Sequence, residues 1–174
     1  MDTIAIQGIY RDRLISPGGG LQHDSGWRKN MIVLKCRVLL AAFLKNEAGA
    51  LGIRSLQIGK GDPSWDTTPP PLPDPATTAG LVDPAPVAIL VANLTLQYLD
   101  DSDAQVAGPT NRVQVVATLG PNQLAAAGQP PYPMREFGLF GEIAGAPFMI
   151  DYVRHPLIQK DAAITLERHV RLVL

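Results

Sequence analysis

Residues 164–174 alternate apolar and polar side chains to the last position, the two-residue period of a strand with one face on a core. A chain whose final residue still lies in such a pattern is expected to have its C-terminus paired in a sheet. Residues 112–119 repeat the pattern, setting Val113, Val115 and Ala117 against Arg112, Gln114 and Thr118. Residues 87–99 read as one long strand, with Leu94, Leu96 and Tyr98 opposite Asn93, Thr95 and Gln97, and as the antiparallel partner of 112–119. Further strands are predicted over residues 3–15, with Ile4, Ile6, Ile9 and Leu14 inward, over 52–59, with Ile53, Leu56 and Ile58, and near 136–143 and 148–154.

The pattern changes once. Between residues 31 and 46, Ile32, Cys36, Leu39, Leu40 and Phe43 recur at intervals of three and four, which predicts a helix with Asn30 as N-cap. Met31, Leu34, Val38 and Ala41 fall on an adjoining face, leaving a narrow stripe near Lys35, Ala42 and Asn46 for water. Such a helix needs cover on two sides, from a sheet and a loop or from a sheet and a neighbouring subunit. Its apolar run is too short, and too interrupted by Lys35 and Arg37, for the roughly 20 residues of a membrane-spanning helix.

Breakers divide these elements. Pro17-Gly18-Gly19-Gly20 closes the first strand region, and residues 121–133 form a Pro/Gly/Ala loop. Residues 62–86 carry prolines at 63, 69, 70, 71, 73, 75, 84 and 86, which forbids helix and favours extended polyproline geometry. Trp65, Leu72, Leu81 and Val82 are the candidate anchors by which this arm docks on a surface; solvated insertion is the alternative. The fold class is therefore α+β: a mostly antiparallel sheet of about six or seven strands packed on one apolar helix, with long proline-rich loops, in one domain spanning residues 1–174.

Charge adds little, since 15 basic residues against 16 acidic ones leave a net charge of −1 and no field that draws the chain to nucleic acid or an anionic membrane. The single cysteine, Cys36, excludes an internal disulfide and fits a reducing compartment. The opening Met1-Asp2-Thr3-Ile4 lacks the basic and apolar regions of a signal peptide, so synthesis in the bacterial cytoplasm is expected.

Catalytic patterns do not emerge. No serine sits in a G-x-S-x-G turn, and Cys36 lies mid-helix on the apolar stripe, the place of a small core side chain. His23, His155 and His169 show no metal-ligand spacing and read as solvated or backbone-bonded. Asp100, Asp101 and Asp103 suit a turn, and Glu136, Glu142 and Glu167 suit the polar faces of strands. Neither Gly59-Lys60-Gly61 nor Gly18-Gly19-Gly20 opens a helix as a phosphate-binding loop does. No enzymatic activity, cofactor or metal is expected.

Four short motifs remain: Gly26-Trp27-Arg28-Lys29-Asn30 ahead of the helix, Ile58-Gly59-Lys60-Gly61, Arg135-Glu136-Phe137-Gly138-Leu139-Phe140, and Tyr152-Val153-Arg154-His155-Pro156 running on to Lys160 before the last strand. In this combination the chain resembles small structural proteins of bacteriophage tails and of phage-derived contractile injection systems. These tend to show W-x-x-N, I-G-x-G and E-x-G-L-[FY] motifs and a lysine before a final amphipathic strand. Gly59-Lys60-Gly61 departs from the commoner G-T-G, and the arm that follows is longer than in that group. The resemblance implies a non-enzymatic subunit of a tail-like particle, working in tail, baseplate or fibre assembly. A tail-completion protein or fibre-assembly chaperone, and in another class a particle-borne cell-wall hydrolase, are the alternatives. The implied partners are further copies of the chain, as trimer or hexamer, and other tail, baseplate or fibre proteins, with no nucleic acid and no membrane insertion. Candidate interface residues are Trp27, Met31, Leu34, Val38, Trp65 and Leu72, with the arm ordered in the particle and mobile in the free subunit.

Overall fold

A computed structural model describes residues 6–174, so Ile4 lies outside the described residues. In chain order the elements are β1 (Gln7–Ile15), β2 (Leu21–Asp24), β3 (Arg28–Lys29), β4 (Met31–Ile32), α1 (Leu34–Leu44), β5 (Ala50–Gly59), β6 (Val87–Leu90), β7 (Leu94–Leu99), β8 (Gln105–Val106), β9 (Arg112–Leu119), β10 (Tyr132–Ile143), β11 (Ala146–Met149), β12 (Asp151–Lys160) and β13 (Thr165–Val173). The α+β class holds, with antiparallel strands and a single α-helix among the described residues. The strands form two sheets, however, where one was expected. The first runs β2-β1-β13-β9-β7-β8 with β3 beside β1, and the second runs β4-β12-β10-β5-β6 with β11 beside β10.

The two sheets bury their inner faces against each other. Tyr10, Val115, Leu166 and Val170 from the first share one core with Leu56, Ile58, Phe137 and Val153 from the second, and the Tyr10 and Phe137 rings meet edge to face at 5.2 Å. The predicted final strand is β13, with Leu166, Arg168, Val170 and Leu172 inward, and the backbone N–H of Leu174 donates to the Asn111 carbonyl. The predicted pairing of residues 94–98 with 113–117 is also present.

Four expectations are corrected. In β1 the inward residues are Tyr10, Asp12 and Leu14; Ile9 falls on the opposite, half-buried face, because buried Asp12 sets the phase through its pairing with Arg168. Residues 87–99 are two strands, not one. A 3-10 turn at Val91–Asn93 carries the chain from the edge of the second sheet (β6) into the first (β7). Residues 148–154 likewise divide into β11 and β12, which take successive stretches of the same edge of β10.

The helix is shorter than predicted. Val33 occupies the N-cap position without a side-chain bond, Met31 and Ile32 pair with Tyr152 and Asp151 as β4, and Asn30 spends its amide on Asp151 at 2.5 Å. Its orientation is reversed in part as well. Cys36 and Leu39 are buried and Leu40 is half-buried, but Lys35 and Ala42, assigned to water, are also half-buried, Lys35 lying over the Phe148 ring. The face turned to solvent instead carries Leu34, Val38, Ala41 and Leu44, with Phe43 partly exposed. Gly141 of β10 lets the helix approach this closely, since a Cβ there would lie 2.5 Å from Leu39 Cδ2.

Candidate functional site

The motif residues converge on the proline-rich arm. Glu136 of β10 is fully buried; its carboxylate accepts the backbone N–H of Asp83 at 2.7 Å and of Val82 at 3.0 Å, together with the hydroxyl proton of Tyr152. Burial and that hydrogen bond push the Tyr152 hydroxyl pKa up, so the phenol stays a donor. Arg154, two residues on and on the same face of β12, donates from Nε to the Tyr152 oxygen at 3.1 Å and from Nη1 to the Pro71 carbonyl at 2.9 Å. Its guanidinium lies 5.1 Å from both the Trp65 and Tyr152 ring centroids.

The neighbouring motif supplies space and a second clamp. A Cβ on Gly59 would meet Glu136 Oε1 at 2.5 Å, and Gly61, at φ +57°, leaves room for Trp65, whose ring a Cβ would approach to 2.6 Å. Arg135 grips Asp66 through two bonds of 2.7 Å and the Lys60 carbonyl at 2.9 Å. At the far side the backbone N–H of Leu34, first residue of α1, donates to the Pro75 carbonyl at 2.9 Å. The arm is thus bound to its own chain at several points. Charged side chains from β10 and β12 satisfy the Val82 and Asp83 N–H groups and the Pro71 carbonyl.

The six candidate interface residues do not form one surface. Trp65 is 7% exposed and belongs to the interior of its own chain, whereas Leu72, between Pro71 and Pro73, is 95% exposed. Leu34 and Val38 are half-exposed neighbours one helical turn apart. Met31 is half-buried and lies with Tyr152 and Pro70–Pro73 around a cavity beneath the arm. Trp27 packs on the outer face of the other sheet, edge-on to His169 and 4.0 Å from the Arg171 guanidinium.

Buried ionisable groups elsewhere serve the fold. Asp12 and Arg168 make two bonds of 2.7 Å; burial pushes the Asp12 carboxyl up, but the Arg168 charge and hydrogen bonds outweigh it and hold the pKa below the carboxylate range. His155 is buried, contrary to a solvated reading but in keeping with a backbone-bonded one: Nδ1 lies 2.7 Å from the Pro156 carbonyl and Nε2 faces Arg168 at 3.3 Å. Burial, with Arg168 beside it, pushes its pKa down to about 4, so the ring is neutral and its lone pair is directed at a cation instead of a substrate. Ser25, which shares a small cavity of about 120 Å³ with His155, donates its hydroxyl proton to the Gly26 carbonyl and accepts the Asp12 N–H. The Lys160 ammonium caps the carbonyls of Gly120, Asp161 and Ile164 at 3.0, 3.3 and 2.7 Å. Burial and the nearby Asp151 charge push the Cys36 thiol up to about 11, as suits a core cysteine. Sequence reasoning missed the roles of Glu136, Arg135, Arg154 and Lys160, although the motifs contained them; charged residues inside otherwise apolar strands were the available signal.

Part of what the chain turns outward is apolar. Besides the helix face, a cavity of about 440 Å³ opens between the C-terminal half of α1 and β5, β7 and the end of β13. Leu39, Leu172 and Ile150 form its buried floor; Phe43, Leu96, Tyr98 and Leu174 are its half-exposed rim. Among the described residues, no group of three or more His, Cys, Asp or Glu side chains converges as a metal site, and no helix is long and apolar enough to cross a membrane. Comparison of the chain with family models, curated proteins and solved structures finds no match in any of the three.

Proposed function

We propose that this chain is a non-enzymatic structural subunit of a phage tail-like or contractile injection particle, acting in tail, baseplate or fibre assembly by packing against further copies of itself and against other particle proteins. The observation that carries this reading is the division of labour among its side chains. Glu136, Arg135, Arg154 and Lys160, four of the charged residues of the motifs, are consumed in internal bonds that fix the arm and the loops, whereas Arg28, Lys29 and Lys60 are exposed. Leu34, Val38, Leu44, Leu72 and the rim of the apolar cavity are left to the outside. Such surface without polar cover favours protein contacts. Trimeric or hexameric symmetry accords with the resemblance of the motifs.

The test is detection of the chain, by mass spectrometry of sedimented particles, in tail-like particles from a producing bacterium. A fixed ratio to tube or baseplate proteins is expected. Absence from intact particles that assemble only when the gene is present would replace this reading with that of an assembly chaperone. Absence together with cleavage of purified cell wall would replace it with that of a hydrolase.

A further inference from the structure

We propose that Leu72 of one copy enters the apolar cavity beside α1 of the next, joining subunits head to tail. This inference rests on the assembly reading above and names the contact. Leu72 is the most exposed large apolar side chain of the described residues, at 95%. It is not a loose tip. Pro70, Pro71 and Pro73 restrict the backbone around it, and Arg154 holds the Pro71 carbonyl from below, so the knob is ordered before any contact forms. A pre-ordered apolar knob loses little entropy on docking.

The cavity has the complementary character. Its 440 Å³ is lined almost wholly by aliphatic and aromatic residues, with Gln97 and Tyr98 as the polar exceptions and no charged side chain. Ordered water needs two to four polar partners per molecule, which such a lining does not supply, so an apolar occupant is favoured over solvent. Own-chain filling is excluded by placement. Leu72 lies with Met31, Tyr152 and Arg154 around a different cavity, and no residue of the arm lines this one.

Charge points the same way. Residues 62–86 contain Asp62, Asp66, Asp74 and Asp83 and no Lys or Arg; α1 contains Lys35 and Arg37 and no acidic residue, while its C-cap Lys45 is paired with Glu47. Asp66 is already paired with Arg135, which leaves Asp74, two residues past Leu72, as the carboxylate closest in sequence to the knob. An acidic arm laid along a basic helix gains attraction that salt weakens. Knob and cavity lie on different parts of one chain, so the contact is heterologous and repeats into a closed ring or a filament.

Sedimentation velocity over a range of concentrations, at low and high salt, tests this with the whole chain. The wild type is expected to self-associate, more weakly at high salt. Leu72→Asp removes the knob, and Gly52→Phe fills the cavity from a strand position where a Cβ meets nothing within 4 Å; each is expected to remain monomeric. An equimolar mixture of the two retains one good knob and one good cavity, and is expected to give a heterodimer and nothing larger. If the thermal melt shows that Gly52→Phe does not fold, Leu96→Glu on the rim replaces it. A monomeric wild type, variants that still associate, or a mixture that stays monomeric overturns the proposal. A monomeric chain that is nevertheless a fixed component of particles overturns only this contact, whereas heterodimer formation by a chain absent from particles overturns only the particle assignment.

Discussion

Arg168 and Asp12 stand directly opposite each other in adjacent strands of the first sheet, both wholly buried, joined by two parallel hydrogen bonds of 2.7 Å. The guanidinium also lies 3.9 Å from the Phe137 ring of the other sheet, so one side chain ties the two layers. Removing one partner leaves a buried charge alone. Arg168→Met or Asp12→Leu is therefore expected to cost about 3–5 kcal/mol, and the two replacements together distinctly less than the sum. Guanidinium unfolding of the four proteins checks the cycle. Because the Asp12 pKa is lowered on folding, its contribution is present above the unfolded carboxylate range near pH 4 and lost on acidification below it.

Asp151 has the opposite sign. Complete burial raises its carboxyl to about 7, against the lowering effect of the Leu139 N–H, the Asn30 amide and the Arg168 charge. A folded pKa above the unfolded one means stability that is fully present below about pH 4 and lost as pH rises through 7, on the order of 4 kcal/mol at about 1.4 kcal/mol per pH unit. The Asn30 carbonyl oxygen is buried without a partner, and turning that amide over would let it accept the proton of neutral Asp151. Asp151→Asn reproduces this neutral pairing at every pH. The variant is expected to match the wild type at about pH 3.5 and to exceed it by a margin that grows between about pH 4 and 7, as read by denaturant midpoints; a constant difference across that range would refute the assignment.

Glu136→Gln tests the clamp on the arm. The amide can accept on one oxygen only, so one of the Val82 and Asp83 N–H groups loses its partner, and the NH₂ meets a hydroxyl that has been donating. Loss of about 1–3 kcal/mol is expected. Proteolysis of the native variant is expected to cut first between residues 62 and 86, and faster there than in the wild type; an unchanged cleavage pattern would show that Arg135 and Arg154 suffice.

Periodicity made the strands legible wherever a single sheet face meets the core, as in β9 and β13, because apolar and polar positions then differ in sequence. It failed where the pattern continues while the structure turns: Val91–Asn93 is as apolar as its flanks, so the passage between sheets leaves no mark. The helix was legible as a helix but not in orientation, since apolar residues occupy nearly every face and only tertiary contact decides that Cys36 goes in and Val38 out. Buried charges were illegible for a different reason. Asp12, Glu136 and Lys160 have their partners at distant positions, such as Arg168, Val82 and Gly120, and no local spacing announces them.

Trp65 and Leu72 looked alike in the sequence, two large apolar residues among prolines, and the structure separates them. Trp65 sits in a 3-10 turn capped by Asp62, with its ring over Gly61 and beneath Arg154, and is nearly buried; Leu72 touches solvent on almost its whole surface. Truncating a buried tryptophan removes both its transfer free energy and the packing around the void, so Trp65→Ala is expected to destabilise the chain by about 3–5 kcal/mol and to free the arm. Leu72→Ser removes no internal contact and is expected to leave the melt within about 0.5 kcal/mol of wild type. Thermal melts of the two single variants, followed by a count of incorporation into particles, decide between the roles. Loss of incorporation by Leu72→Ser at an unchanged melt places that residue at a contact between proteins. A destabilised Leu72→Ser, or a Trp65→Ala chain as stable as the wild type, would show that the arm is held by other groups than those described.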